Sequence, residues 1–221
     1  VHVATHACEH YYLVTDVIEG LAKDLPVLRA YDDCTYFKQD AGELLFGFAH
    51  NKVKPWGMEG IDEEFCSDSL PFVDDDVMDV LEMAMHRVPA LETAGIRTFF
   101  NGPESYSYDG NFTLGEAPEV ANYFVLAGVN STGIQSGAGA GRALAQWIMQ
   151  GYAPMDLNDM DPARIQTFQA QDSYLQARAP ETETRTYAMH WPNYQRDTAR
   201  QLRKTPFYHT LKQHGAWFAE Q

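Results

Sequence analysis

Residues Tyr123–Gln150 have the sequence YFVLAGVNSTGIQSGAGAGRALAQWIMQ, and this stretch decides what kind of fold the chain can adopt. The apolar run at residues 123–127 is typical of a buried strand, and residues 134–150 have the pattern of a helix. The first N–H groups of such a helix have no partner within the helix, and the helix dipole adds positive potential there. The stretch therefore predicts a strand–turn–helix unit that suits an electron-rich or anionic ligand.

The glycines of this stretch have two interpretations. Gly137, Gly139 and Gly141 keep the first helical turns narrow, which allows either a large flat ligand or a packed neighbouring element to approach closely. They do not form the dinucleotide fingerprint, because that motif needs its glycines in the turn and an acidic residue about 20 positions later, ending a second strand. Here the glycines lie within the helix, and Asp159 and Asp161 follow a loop that contains a proline.

The composition limits the possible partners. The chain has 221 residues, of which 45% are hydrophobic and 13% aromatic, enough for one large domain or one domain with a small appendage. Its net charge of −15 argues against nucleic acid and anionic membranes as partners. The three cysteines form no CxxC pair, which favours a reducing compartment. We predict a cytoplasmic protein, or one of the mitochondrial matrix if the source is a eukaryote.

The first part of the chain predicts an antiparallel platform of strands. The strands are expected at residues 10–15, 26–29, 34–38 and 43–48. Polar and glycine residues at 31–33 and 40–42 supply the turns between consecutive strands. This arrangement is consistent with a sheet that binds a substrate.

Histidines near the amino terminus raise the question of a metal site. Alternation along a strand gives four side chains one common face: His2, His6, Cys8 and His10. Histidine and cysteine are zinc ligands, but residues along one extended strand lie too far apart to converge on an ion. We therefore predict no metal site, and we expect His10 to point into a ligand cavity. Tyr36 is expected to share that cavity, with an ordinary hydrogen-bonded sheet tyrosine as the alternative.

A helix is predicted between the platform and the next strand. The acidic run Asp74–Asp76 is expected to begin it, because acidic residues suit a first helical turn, and the helix runs to about Arg87. Its predicted apolar face consists of Val77, Val80, Leu81, Ala84 and Met85.

The rest of the sequence predicts a strand, a long loop, a linker, a helix and a small appended unit. Residues 96–101 are expected to form a strand, and residues 101–118 a long loop rich in glycine and proline, of the kind that tends to be functional. Residues 156–162 resemble a linker, after which a helix is predicted from Pro162 to Arg178. The rest of the chain, rich in arginine and aromatic residues, is predicted to belong to a small appended unit.

Several motifs together resemble a known family. They are ACEHYYLVT (7–15), LPVLR (25–29), TYFKQ (35–39), FNGPESYSYDGNFTLGEAPE (100–119) and GVNSTGIQSGAGAGRALAQWIMQG (128–151). They are similar to the later half of the FAD-dependent dimethylglycine and sarcosine dehydrogenases, which belong to the D-amino-acid-oxidase-like flavoenzymes. TARQLRKTPFYHTLKQHGAWF (198–218) resembles the small central domain of those enzymes.

The resemblance implies an α+β fold, an α/β flavoenzyme fragment. It combines an antiparallel substrate-binding sheet with the last strand and helix of a Rossmann-like FAD domain. Residues 1–157 would be the later part of the FAD-dependent oxidoreductase domain, and residues 158–221 part of the small central domain. The family's glycine fingerprint and its folate-binding domain have no counterpart here. We therefore expect a fragment of a longer enzyme, inactive by itself, with tetrahydrofolate a possible ligand only of the absent domain.

The resemblance also implies a site. FAD would be the cofactor, and the residues that would contact its isoalloxazine ring are Gly128, Asn130, Ser131, Thr132, Gly133, Ile134 and Gln135. His10 and Tyr36 match the active-site histidine and tyrosine of the family. They would hold an N-methylated amino acid with its methyl group near flavin N5 and would favour the unprotonated amine.

The expected activity is the oxidative demethylation of an N-methylated amino acid of the dimethylglycine or sarcosine type. Hydride would pass from the N-methyl group to the flavin. Two alternatives stay open: a flavin-dependent oxidase that uses O2, and a non-catalytic or partner-dependent module that lacks the ADP-binding half. The expected partners are the small substrate, the rest of the same enzyme and an electron-transfer acceptor, with neither nucleic acid nor membrane.

Overall fold

The centre of the protein is a five-stranded antiparallel sheet. A computed structural model describes residues 1–49, 53–66, 69–71 and 77–219. The strands are β1 (Thr5–Thr15), β2 (Leu28–Ala30), β3 (Thr35–Asp40), β4 (Glu43–Phe48) and β5 (Ile96–Ser107). They lie side by side in the order β2-β3-β4-β1-β5, each antiparallel to its neighbours. The predicted antiparallel platform is confirmed, and β1 begins at Thr5 rather than at residue 10.

Helices and a second, two-stranded sheet complete the fold. The elements are α1 (Met78–Arg87), β6 (Thr113–Glu116), β7 (Phe124–Ala127), α2 (Gly133–Gln150), α3 (Asp172–Tyr187) and α4 (Tyr208–Gln213). Short 3-10 turns occur at Pro89–Glu92, Pro162–Arg164 and Thr167–Ala170. β6 and β7 pair antiparallel, and β7 leads into α2, as the strand–turn–helix prediction requires. Within the described ranges, no helix is long and apolar enough to cross a membrane.

The two faces of the large sheet are covered by different helices. Side chains at odd positions of β1, such as Tyr11 and Leu13, are buried with Phe46 and with residues of α1. Side chains at even positions face α3, where Cys8 is buried against Ala179. Burying one large apolar side chain contributes about 1.5–3 kcal/mol, so the aromatic cluster on the α1 face is a major source of stability. Because side chains alternate along β1, the sheet has a structural face, which packs against α1, and a second face, which packs against α3.

Helix α1 has the predicted apolar face. Val77, Val80 and Ala84 are buried in the core, and Leu81 and Met85 pack against it. The helix ends at Arg87, as expected. The predicted start at Asp74–Asp76 lies outside the described residues.

The long loop predicted at residues 101–118 is wrong. β5 continues through Pro103 to Ser107, and Thr113–Glu116 forms β6. Proline is tolerated because β5 is an edge strand. The Asn101 carbonyl accepts a hydrogen bond from the Leu70 N–H, on the side away from β1. By the alternation of a strand, the nitrogen of Pro103 also points away from β1, so its missing N–H costs no ladder bond.

The helix predicted from Pro162 to Arg178 is also wrong in its limits. Two 3-10 turns replace its first part, and α3 runs from Asp172 to Tyr187, through Pro180. The chain is extended at Gln166, whose N–H donates to the Gln169 side chain, so a continuous helix cannot form there. α3 passes Pro180 because it packs along β1 and β5, and this packing outweighs the local cost of the proline. The boundary at residues 157/158 stays a prediction.

Helix α2 is apolar on two sides. One side, with Ala140 and Ala143, is buried against the rest of the chain. The opposite side carries Ile134 and Ile148, both exposed, together with the small residues Gly141 and Ala145. A Cβ atom added at Gly137, Gly139 or Gly141 would meet nothing within 4 Å. A helix of a stable protein is normally polar on its solvent side, so this second apolar side is unusual.

Candidate functional site

A cavity of about 690 Å³ lies on the α3 face of the sheet. It is lined by His10, Tyr12, Val27, Arg29, Tyr36, Phe65, Phe100, Gly102, Pro103, Glu104, Ser131 and Tyr187. Its wall is thus built from four strands of the sheet, from the turn before α2 and from the last turn of α3. Most of the lining is apolar or aromatic, with a few polar groups, as is usual for small-molecule sites.

His10 reaches this cavity because it occupies an even position of β1. Its Nδ1 lies 2.9 Å from Oε1 of Glu183, and its Nε2 lies 3.4 Å from the Tyr187 hydroxyl. Its ring stacks on the Tyr187 ring, with centroids 5.3 Å apart. Two residues of α3 therefore hold the imidazole in one orientation.

Tyr36 lies at the same cavity. Its partner across the β3–β4 pair is Gly47, and a Cβ atom there would lie 2.0 Å from the Tyr36 ring. The glycine thus lets the ring lie flat across β4 and stack on Tyr187, with centroids 5.8 Å apart. Burial, and after it the charge of Glu104, raises the pKa of Tyr36 to about 12, so its hydroxyl stays protonated at neutral pH.

Ser131, in the turn before α2, contacts both α3 and β5. Its Oγ lies 2.7 Å from the Tyr187 hydroxyl and 3.0 Å from Oε2 of Glu104. The Tyr106 hydroxyl donates to the same Glu104 oxygen at 2.7 Å. A continuous series of contacts therefore runs Glu183–His10–Tyr187–Ser131–Glu104.

The charges in this series of contacts shift the pKa values of His10 and Glu183. Burial by itself would lower the pKa of His10, but the hydrogen bond and charge of Glu183, together with the charge of Glu104, raise it. Burial raises the pKa of Glu183 to about 7, although the hydrogen bond to His10 acts in the opposite direction. The buried pair thus retains a proton near neutral pH that the same groups would lose in water.

The residues predicted to contact a cofactor are not all at the cavity. Among them only Ser131 lines it. Gly128 has φ +69° and lies against Thr5, and Asn130 is buried. Thr132 Oγ1 donates to the Val129 carbonyl. The other three are Gly133, which begins α2, Ile134, which is fully exposed, and Gln135, which is exposed as well.

Three of the four side chains predicted to share a face lie in β1. His6, Cys8 and His10 share a face as predicted, with Cys8 buried under α3. In the described ranges, no group of three or more His, Cys, Asp or Glu side chains is placed to hold a metal ion. The Nδ1 atom of His10 is instead engaged by Glu183.

Four polar residues at the cavity wall or directly behind it were not predicted as site residues from the sequence, and one of them, Glu183, contacts His10 without lining the cavity. They are Arg29, Glu104, Glu183 and Tyr187. One signal for the last two was available, because Ala179, Glu183 and Tyr187 are spaced four apart and share one side of a helix. A charged residue between a small and an aromatic residue on such a side is unusual unless it has a buried partner.

Two family models match the chain. One, described as FAD dependent oxidoreductase, matches residues 2–147, and one described as FAD dependent oxidoreductase central domain matches residues 150–205. A glycine oxidase from Geobacillus kaustophilus has the same fold, with a TM-score of 0.58 and 23% identity, over 74% of this chain and 40% of that chain. The α+β architecture is thus that of FAD-dependent oxidase domains.

Curated relatives match the chain over its whole length. The 4-methylaminobutanoate oxidase (formaldehyde-forming) of Paenarthrobacter nicotinovorans is 38% identical over 100% of this chain and 27% of its own length. The pyruvate dehydrogenase phosphatase regulatory subunit of Mus musculus is 34% identical, over 99% and 25%. Sarcosine dehydrogenase of Mus musculus is 30% identical, over 100% and 24%. The chain spans about a quarter of the length of these relatives.

The protein therefore belongs to the FAD-dependent oxidoreductase family. Its curated relatives include sarcosine and dimethylglycine dehydrogenases and a methylaminobutanoate oxidase, and the chain corresponds to about a quarter of each of them. The family implies FAD as the cofactor.

Proposed function

We propose that this chain carries the substrate pocket of an FAD-dependent enzyme that oxidatively demethylates an N-methylated amino acid. One observation carries the proposal. His10 of β1 and Tyr36 of β3 meet at one cavity, which also includes Ser131 from the turn before α2. A titratable base, a hydroxyl donor and the turn before α2 thus converge on a largely apolar space.

The described residues fit the redox end of a flavin. The turn at Ser131 opens on the cavity, and beyond it the Ile134 side chain and the helix surface at Gly137 and Gly141 are uncovered. The backbone N–H groups that begin α2 would hold the pyrimidine end of the ring. Bound there, FAD would supply the acceptor for a hydride from the N-methyl carbon.

The chain's own residues would then bind and orient the substrate. The Tyr36 hydroxyl, protonated at neutral pH, would donate a hydrogen bond to it. His10 would hold a proton at Nε2, the nitrogen that faces the Tyr187 hydroxyl and the cavity. A substrate amine that has given up its proton has a lone pair to assist hydride loss, which is why a base is needed here.

The substrates in the relatives' names suggest which compounds to test. Sarcosine and 4-methylaminobutanoate both combine an N-methyl amine with a carboxylate and differ in the length between them. Arg29 at the cavity wall suits the carboxylate. We propose an electron-transfer acceptor or O2 as the second substrate and, for the whole enzyme, the cytoplasm or the mitochondrial matrix as its location.

The test is a substrate panel on the full-length enzyme that contains this chain. Sarcosine, dimethylglycine and 4-methylaminobutanoate are mixed with the enzyme without oxygen, and bleaching of the flavin absorbance is followed by stopped flow. We expect bleaching with at least one of them. His10→Ala and Tyr36→Phe should each slow it by about 10²–10⁴-fold, the usual contribution of a positioned proton-transfer group.

Matched controls change the same residue types elsewhere. His86→Ala alters an exposed histidine of α1, and Tyr152→Phe alters an exposed tyrosine after α2. Both should bleach at the wild-type rate. Unchanged rates in His10→Ala and Tyr36→Phe would remove the assignment of the site.

A second candidate function follows from one relative. The regulatory subunit of Mus musculus matches at 34% identity, and its name describes no redox activity. A non-catalytic or partner-dependent protein would bind no substrate productively. Full-length protein that carries FAD, yet is bleached by no compound of the panel and is bleached by dithionite, would favour this function over the first.

A further inference from the structure

Glu183 is the group that the chemistry above leaves unused. It lies in α3, which belongs to the segment matched by the central-domain model, whereas His10 lies in the segment matched by the oxidoreductase model. Its side chain is 1% exposed, and its Oε1 is 2.9 Å from His10 Nδ1. Its other oxygen, Oε2, is buried and has no hydrogen-bond partner among the described residues.

A carboxylate in this position is costly unless its interaction with His10 repays the cost. Burying an ionised carboxylate is unfavourable without a charged or hydrogen-bonding partner. Among the described residues, the side-chain atom that hydrogen-bonds Glu183 is His10 Nδ1. A carboxylate that accepts from Nδ1–H fixes the imidazole tautomer and leaves Nε2 as the nitrogen that can take a proton.

The other side of the ring is fixed as well. Tyr187, one helical turn after Glu183, stacks on the imidazole and places its hydroxyl 3.4 Å from Nε2. That hydroxyl is in turn 2.7 Å from Ser131 Oγ, in the turn that begins α2. One face of α3 therefore contacts His10 at both nitrogens and joins it to the turn beside the cavity.

We propose that Glu183 is the positioning residue for His10, so that the active site is completed by the central-domain segment. The inference rests on the proposed function for its kinetic part. Glu183 lies behind His10 and does not line the cavity, so it acts through the imidazole and not on the substrate. Its role is to keep Nδ1 protonated and Nε2 directed at the cavity. Carboxylates that hydrogen-bond a histidine have this role in other active sites.

Glu183 from α3 and Glu104 from β5 are the charged groups that raise the pKa of His10. The other titratable side chains at the same cavity are Tyr187 from α3, Tyr36 from β3, Arg29 from β2 and Tyr12 from β1. Glu183 contacts the Nδ1 atom of His10 directly. Glu104 is connected to the imidazole by hydrogen bonds through Ser131 and Tyr187. Removing the charge of Glu183 should therefore change the titration of His10 more than any other single substitution.

The experiment uses the full-length holoenzyme with Glu183→Gln, which keeps the size and one acceptor but removes the charge. The limiting rate of flavin reduction is measured against pH at saturating substrate. We expect a loss of about 10–100-fold, with KM changed less than about threefold, and an acid limb shifted to lower pH. Glu183→Asp keeps the charge but places it farther from His10, because the side chain is one carbon shorter. This variant should recover part of the rate.

Glu181→Gln is the matched control. Glu181 lies on the same helix and accepts from Tyr194, Thr198 and the Asp197 N–H, away from the cavity. Its variant should keep the wild-type pH profile. A Glu183→Gln enzyme whose rate and pH profile equal those of Glu181→Gln would overturn the proposal.

A second readout does not depend on turnover. Histidine side chains of the full-length protein are labelled with ¹³C, and the resonance of His10 is identified by its loss in His10→Gln and titrated by NMR. In the wild type we expect a pKa above the usual 6.5, lowered in Glu183→Gln. Titration of wild-type His10 at or below 6.5 would contradict the proposal, even if Glu183→Gln did not fold. If no compound of the panel is turned over, this titration still tests the pair.

Discussion

At the scale of the residue, Arg29 is the cation at the wall of the cavity. Its Nη2 donates to the Thr186 carbonyl at 2.7 Å, and its guanidinium lies 4.9 Å from the Tyr187 ring centroid and 5.0 Å from that of Tyr31. These contacts fix the planar group in place before any ligand arrives. A fixed guanidinium can bind a carboxylate with little loss of side-chain entropy.

We expect Arg29→Met in the full-length enzyme to raise KM for an N-methyl amino acid by about 10–100-fold, because a charge-assisted hydrogen bond contributes about 1.5–3 kcal/mol. The limiting rate of flavin reduction should change much less. Arg97→Met is the control, since Arg97 is exposed and pairs with Glu43. Steady-state kinetics with each variant measures the effect, and an unchanged KM in Arg29→Met would show that the carboxylate binds elsewhere.

Strand alternation was enough to bring His10 and Tyr36 to one cavity. Both lie on regular strands, where a period of two decides the face. Glu183 could not be paired with His10 in the same way. The contact joins residues 173 apart, and no local pattern specifies how α3 lies across β1.

At the scale of the element, the regular segments were predictable and the irregular ones were not. Residues 43–48 formed the expected strand, and α2 differed by one residue from expectation, because both have a clear apolar pattern bounded by turns. The strand at Pro103 and the helix through Pro180 were missed. Proline normally ends such elements, and here an edge position and packing on the sheet outweigh that tendency.

The exposed apolar side of α2 leads to a prediction for the full-length enzyme. We expect other parts of that enzyme to cover Ile134, Gly141, Ala145 and Ile148. Ala145→Glu should then destabilise it by about 1–3 kcal/mol, because a charge would be buried. Gln146→Glu, on the adjacent polar side of the helix, should be nearly neutral. Thermal unfolding of both variants measures this, and equal midpoints would mean that the side is open to solvent.

At the scale of the whole molecule, the buried pair makes stability depend on pH. Burial raises the pKa of Glu183 from 4.5 to about 7, and the pKa of His10 lies above 6.5 because Glu183 and Glu104 outweigh the effect of burial. The folded pair therefore binds more protons than the unfolded chain. Its stabilising contribution is present below these unfolded values and is lost as pH rises through the folded ones.

We expect the stability of the full-length enzyme to fall more gently with pH in Glu183→Gln than in the wild type, between about pH 4.5 and 7. Each proton of difference is worth about 1.4 kcal/mol per pH unit. Glu181→Gln should lower stability, because it weakens hydrogen bonds from Thr198, Asp197 and Tyr194. It should leave the slope in this pH range unchanged, because burial raises the pKa of Glu181 but these hydrogen bonds outweigh it and lower the pKa below this range. Urea unfolding at several pH values measures the slope, and parallel curves for Glu183→Gln and wild type would contradict the expectation.

The bond between His10 and Glu183 also has a consequence for the order of assembly. The partners are 173 residues apart, and a ribosome adds about 5–20 residues each second. β1 to β4 can pair soon after synthesis, since their connections are short. His10 would then wait about 9–35 seconds at an unfinished site for α3 to emerge. The newly made sheet would thus exist for a time with its structural face formed and its imidazole unoriented.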